Sequence, residues 1–345
     1  MQSSHFTFLI FTLFGKDKRM KIYSRLIATG LLLLSGFSFA HSNHKTDLID
    51  QPQQGFGELV IFGGVFTDTG NFASLYGDLP GIFWNNRFAN GPVISDYMAE
   101  TLGLSASPSL HVAGEVGEPM GTNYSMRNAW AGQSGELNIS GQVQTYLASK
   151  DYSVPADSLI FMWAGSHDVI EAITTPAPLP YQMLDDAVFG IEAQLYLLID
   201  SGAQHIFAPT FADVGFLPAM QRRGIEARVT EATDYFNRKF SRMLNRVERN
   251  TGQRIYRFDF DRYVKGLVAN AGFYGIKNSV DVCVEQLATG GCDFNSFLFM
   301  TDVLITSKTH KLIADAFTQD LLHQVGYCKR GNYHSRTKHH LCPSN

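Results

Sequence analysis

At 345 residues, 45% hydrophobic and 17% charged, the chain has the make-up of a folded globular protein and is long enough for one large or two small α/β cores. Its formal net charge of −4 offers no electrostatic footprint for nucleic acid, which is excluded as an expected partner.

Taken from the start, the first forty residues read as an export leader. MKIYSR (20–25) is basic, LIATGLLLLSGF (26–37) is apolar, and Ser38-Phe39-Ala40 is a small-x-small cleavage site. Met20 fits as the start codon, with 1–19 an extension. The apolar run is short for a bilayer span; the competing reading, a membrane anchor, draws on FTFLIFTLF (6–14). The leader carries five basic residues and one acid, so the remainder holds 23 basic against 31 acidic residues, net −8. Periplasm and secretion beyond the cell are both open.

Residues 41–56 are polar and form a linker into the fold. ELVIF (58–62), SLIFMWAG (158–165), QHIFAPTF (204–211) and RIYRFDF (254–260) are nearly continuous apolar runs, as strands covered on both faces require. Between them, Leu184, Val188, Ile191, Leu195 and Leu198 recur at helical spacing. So do Ile225, Val229, Ala232, Phe236, Phe240, Met243 and Val247. Each helix ends near a glycine, Gly202 and Gly252. A last helix runs from about Ser307 to Gly326. The alternation predicts an α/β fold, a three-layer sandwich with a mostly parallel sheet and helices on both faces, spanning 57–326. Residues 327–345 form a basic tail.

Cys283, Cys292, Cys328 and Cys342 make an even count in an exported chain, which points to disulfides. Three pairings exist; the short-loop solution, Cys283–Cys292 with Cys328–Cys342, is preferred. No metal is expected: there is no CxxC, and His334, His339 and His340 lack ligand spacing. No cofactor is expected either.

Chemistry in such a fold belongs at the carboxyl ends of strands. Three polar clusters sit there: Thr67-Asp68-Thr69-Gly70-Asn71, Gly165-Ser166-His167-Asp168, and Asp213. Ser166-His167-Asp168 contains the residue types of a hydrolytic triad, but neighbours on one turn diverge and cannot relay a proton. Capping of the following helix by Ser166 or Asp168 is the expectation.

The blocks, taken jointly, resemble the GDSL (SGNH) lipase/esterase family, on its branch of secreted bacterial lysophospholipases, acyltransferases and haemolysins. FGGVFTDTGN (62–71) stands where the family reads roughly FGDSLSDTGN. NRFANGPVISDYMAETLGL (86–104) is similar to GRFSNGPVWxxYLAxxLGL, and GTNYSMRNA (121–129) to GTNYAxGGA. WAGSHDV (163–169) resembles the WxGxND block, FADVGFLP (211–218) the PDLGLTP segment, and FLFMTDVLITSKTHKLIA (297–314) the YLFWDxxHPTxxxHxxIA block. The loop between Cys283 and Cys292 resembles a disulfide loop of some secreted acyltransferases in the family.

Set against that pattern, the family's catalytic positions are changed. Val65 replaces the nucleophilic serine and Gly64 the aspartate before it. Arg127 and Asn128 replace two glycines, one of them an oxyanion donor, and His167 replaces the oxyanion asparagine. Thr301 and Leu304 replace the acid and base; a one-residue shift supplies an acid, Asp302, but puts Ile305 where the base belongs. Alkyl groups neither attack a carbonyl nor move a proton.

The resemblance therefore implies a retained cleft without the family's catalytic residues. Arg127, His167 and Thr67 are candidates to bind a lipid-like or anionic small molecule, with transient membrane-surface contact. The alternative is a lipolytic hydrolase using substitute residues, for which Thr67 and Ser125 are the candidate hydroxyls. A third reading is a surface protein whose useful face lies elsewhere. His310 matches a second, non-catalytic family histidine and is expected to be structural.

Overall fold

A computed structural model describes residues 55–109 and 121–327. Contacts divide the chain into Met1–Gln51 and Pro52–Asn345, and every described residue falls in the second unit. The expected leader, most of the linker and the Cys328–Cys342 pairing lie outside the described residues.

In chain order the elements are β1 (Glu58–Gly63), α1 (Asn71–Tyr76), α2 (Ile94–Leu102), α3 (Ile139–Ser149), β2 (Ser158–Trp163) and α4 (Ser166–Thr174). Next come α5 (Tyr181–Asp200), β3 (His205–Phe207), α6 (Pro218–Arg223), α7 (Glu226–Thr251), β4 (Ile255–Tyr256) and α8 (Phe260–Ala269). The series ends with β5 (Asn278–Val282), β6 (Phe297–Phe299) and α9 (Ser307–Gln324). Strands β1 to β4 form one parallel sheet in sequential order, with Ile61 beside Phe161 and Phe161 beside Phe207. All of β2 is buried, which is why its sequence is apolar without alternation.

Two helical layers cover the sheet. Phe161 and Trp163, two residues apart on β2, share a face and meet Phe317 of α9 at 5.9 and 5.5 Å. Phe62, in register with Met162 on the other face, meets Tyr146 of α3 at 5.7 Å. Helix α5 packs on α3 and α7, and α2 packs along α9. The predicted α/β sandwich, a mostly parallel sheet with helices on both sides, is the observed fold.

The strands expected at 204–211 and 254–260 are shorter than their apolar runs. Beyond Phe207 the pairing continues only as single bonds, Ala208 N to Tyr256 O (2.9 Å) and Thr210 N to Phe258 O (3.0 Å). Core packing begins within the expected linker, at Phe56, whose ring meets Tyr327 at 5.8 Å. Strands β5 and β6 make a separate parallel pair, joined by the loop that the Cys283–Cys292 disulfide closes. Among the described residues no helix is long and apolar enough to cross a membrane.

Candidate functional site

The loops at the carboxyl ends of β1 and β2 are held by a dense hydrogen-bond network. Gly63 ends β1 where only glycine fits: a Cβ there would lie 2.7 Å from Thr67 Oγ1 and 2.9 Å from Trp163 O. Its N–H donates to Gln142 Oε1 at 3.0 Å. The chain then turns, Thr67 N donating to Gly64 O, with Val65 at the partly exposed tip. Asp68 anchors the turn from beneath. It is buried and accepts from the N–H groups of Gly70 (2.9 Å), Phe72 (3.3 Å) and Arg127 (3.1 Å). Burial raises its pKa to about 6 against the pull of those donors.

Thr67 points inward. It is fully buried, and its hydroxyl donates to Ser125 Oγ at 2.9 Å. Ser125 is equally buried. The two hydroxyls proposed as substitute nucleophiles thus face one another in the interior, with Thr67 as the donor. Thr67, expected to meet a ligand, is instead a tie between the β1 turn and the 121–125 segment.

Arg127 and His167 come together beside that turn. The guanidinium of Arg127 lies over two rings, 5.0 Å from Phe88 and 5.4 Å from Phe72. Burial lowers its pKa, opposed by the charge of Asp68. Among the described residues no carboxylate is hydrogen-bonded to the guanidinium itself. His167 sits edge-on to Trp130 at 4.5 Å. Its pKa is drawn down to about 4, first by burial and then by the charge of Arg127, so the imidazole is neutral at pH 7. Asn128 adopts φ 63°, a left-handed conformation that asparagine tolerates better than most residues. An asparagine can therefore occupy a backbone site suited to glycine.

The three neighbours after β2 diverge, as expected. Asp168 accepts from Ala131 N and Gly132 N, both at 2.9 Å, and so bridges to another loop instead of capping α4. The N-cap of α4 is Gly165, with no side-chain bond, correcting the capping expectation. Gly165 has φ 97°, and a Cβ there would meet Phe236 Cζ at 2.5 Å. Ser166 Oγ lies 3.1 Å from where a Cβ on Gly64 would stand, leaving little room there for a larger side chain.

In the loop after β6, Thr301 Oγ1 accepts from Leu304 N at 3.1 Å, and Leu304 and Ile305 are buried. Asp302 is half-buried, its pKa raised by burial, and its charged neighbours are Arg222, Glu285 and Arg223. His310, in the first turn of α9, is fully buried with neither ring nitrogen hydrogen-bonded. Its ring lies 5.9 Å from Phe66, and burial lowers its pKa to about 3. This placement makes it a packed, neutral core imidazole.

One cavity among these loops is small. The cavity bounded by Gly64, Phe66, Thr67, Trp163, Ser166 and Phe211 has a volume of about 10 Å³, room for roughly one water. Sequence reasoning missed the aromatic platform of Phe72, Phe88 and Trp130. No spacing signal marks it, since these residues come from three separate segments. Among the described residues no cluster of His, Cys, Asp and Glu is arranged to hold a metal ion.

Residues 59–317 match the family model described as GDSL-like Lipase/Acylhydrolase. Among curated proteins, the chain is 27% identical over 206 residues to Lipase 1 of Photorhabdus luminescens, covering 56% of this chain and 26% of that one. It is 23% identical over 317 residues to a GDSL esterase/lipase of Arabidopsis thaliana, covering 74% and 84%. The chain thus spans about a quarter of the length of the Photorhabdus relative and most of the plant one. Among solved structures, a catalytic mutant of an acetylxylan esterase from Geobacillus stearothermophilus aligns at 13% identity with a TM-score of 0.38, covering 78% of this chain and 96% of that one.

Proposed function

Given that this chain belongs to the GDSL-like lipase/acylhydrolase family, we propose that it is an exported member that has given up ester hydrolysis and holds a lipid-like or anionic ligand on its retained loops. Membership by itself supports a lipolytic hydrolase. Against hydrolysis here stands the chemistry of the individual positions. We assign Val65 to the place of the nucleophile and Leu304 or Ile305 to that of the base. In a comparable triad enzyme, loss of nucleophile or base alone removes about 10⁶-fold in turnover. A lost oxyanion donor is worth roughly a further 10²–10³.

The observation that carries this reading is the pairing of Thr67 with Ser125. The two hydroxyls proposed as substitutes are buried and bonded to each other, while among the described residues neither nearby imidazole, His167 nor His310, is hydrogen-bonded to a serine or threonine. Arg127, half-buried on its aromatic platform, is the group we assign to the anionic end of the ligand. Export, and a place on the secreted bacterial branch, are part of the proposal. The Cys283–Cys292 disulfide favours an oxidising compartment.

A fluorophosphonate probe, with a catalytically intact family member alongside, tests the loss of hydrolysis. No labelling of this chain is expected, and stoichiometric labelling overturns the reading. Binding of a dansyl fatty acid, followed by energy transfer from tryptophan, is expected to be lost in Arg127→Gly. The alternative, a lysophospholipase or acyltransferase using substitute residues, is favoured by family membership. Positive labelling would select it.

A further inference from the structure

Beside the small cavity at the β1 and β2 loops, a second cavity, of about 300 Å³, opens two strands away. It lies at the same carboxyl edge of the sheet, where open α/β folds place their ligands. Asp213, Gly215 and Phe216 reach it from the loop after β3, Glu226 and Thr230 from the start of α7, and Lys265, Val268 and Ala269 from α8, which follows β4. Its volume falls at the lower end of the range for small-molecule sites.

The lining divides by chemistry. Phe216, Val268 and Ala269 supply apolar surface, Phe216 being backed by Phe299 at 5.9 Å. The Asp213 carboxylate is fixed in place: Oδ1 accepts from Gly215 N at 3.0 Å and Oδ2 from Thr230 Oγ1 at 2.7 Å. Lys265, the one cation of the lining, is held by Asp261 Oδ2 at 2.7 Å. Asp261 in turn accepts from Asp213 N. The Glu226 carboxylate has neither an ion pair nor a side-chain hydrogen bond among the described residues. Lys265 pairs with Asp261 and also lies in the field of Asp213, so that, counting Asp261, three carboxylates meet one ammonium and the cavity keeps a net negative charge. An anion would meet repulsion there.

We propose that this cavity binds a small amphipathic cation, a primary or quaternary alkylammonium. Its charged head sits between Glu226 and Asp213, and its alkyl body lies on Phe216, Val268 and Ala269. The proposal is independent of whether the loops after β1 and β2 hydrolyse, bind or do neither. The same chemistry comes from two sources, a free alkylamine and the ammonium headgroup of a lipid.

The test is calorimetric titration of the purified chain with n-hexylammonium and with hexyltrimethylammonium, with hexanoate as the charge-reversed control, and sedimentation with phosphatidylcholine vesicles. Saturable binding of an alkylammonium and none of hexanoate are expected. Glu226→Gln should weaken binding about tenfold, the loss of one charge-assisted contact, and Ala269→Trp should block it by filling the cavity. Co-sedimentation lost in both variants assigns a lipid headgroup as the source; alkylammonium binding without co-sedimentation assigns a free amine. No alkylammonium binding, equal binding of hexanoate, or affinity unchanged in both variants overturns the proposal.

Discussion

At position 65 the proposed loss of hydrolysis turns on a single side chain, and replacing it alone is predicted not to suffice. Val65 stands at a partly exposed turn tip, so a serine hydroxyl would fit there. A hydroxyl without a base remains a poor nucleophile. Val65→Ser is therefore predicted to give no measurable p-nitrophenyl butyrate hydrolysis above the parent chain. Measurable activity from that one change would mean that an imidazole serves the site from somewhere other than position 304 or 305. Arg127 carries a different lesson. The sequence marks it as a departure from a glycine, but its bed of Phe72 and Phe88 exists only because α1, the 86–104 segment and the 121–129 segment converge.

Among the elements, the β5–β6 pair depends most on a local covalent tie. Both strands are short, and the loop between them is closed by Cys283–Cys292, nine residues apart. The same loop reaches the last block through Val284 N to Met300 O at 3.1 Å. Closing a loop of that length is worth about 2–3 kcal/mol on the chain-entropy account. The double variant Cys283→Ser/Cys292→Ser is predicted to lose about that much stability in urea unfolding; an unchanged midpoint would mean the loop is held by its packing alone. The long helices were legible beforehand. Periodic stripes marked α5, α7 and α9, and Gly252 stops α7 in a left-handed cap. Helix α3 escaped notice because its eleven residues, ISGQVQTYLAS, mix a weak apolar stripe with polar positions. One of those, Gln142, turns out to be buried to pin Gly63.

For the molecule as a whole, its buried titratable groups set how stability responds to acid. His310 stays neutral in the fold down to about pH 3, whereas an unfolded histidine takes up its proton near 6.5. Its contribution is complete above pH 6.5 and is lost as pH falls from there. His167, drawn down to about 4, acts in the same direction. Asp68 opposes both: with its pKa raised to about 6 from 3.8, it keeps a proton in the fold that the unfolded chain has released, which favours folding as pH falls through that window. His310 and His167, acting above pH 6, predict a urea midpoint that declines from pH 6.5, and more gently below 6 as Asp68, with Asp168 and Asp302 also raised by burial, takes effect. His310→Leu, which replaces an unpaired buried imidazole by an apolar side chain, should flatten that decline while leaving stability at pH 7 nearly unchanged. A decline as steep as that of the parent chain would show that the acid response comes from other groups.

By itself the sequence determined the parallel α/β framework, the identity of the loops at its carboxyl edge, and the alkyl character of positions 65, 304 and 305. Apolar runs and helical stripes are local patterns, and a side chain's ability to carry a proton is a property of the residue alone. Only the tertiary structure decided that Thr67 turns inward to Ser125, that Arg127 rests on two rings, that a cavity among the first loops holds about 10 Å³, and that a cavity of about 300 Å³ lies beside Asp213. Those outcomes depend on which distant segments pack against one another, and burial, cavity volume and hydrogen-bond partnership have no value until the whole chain has folded.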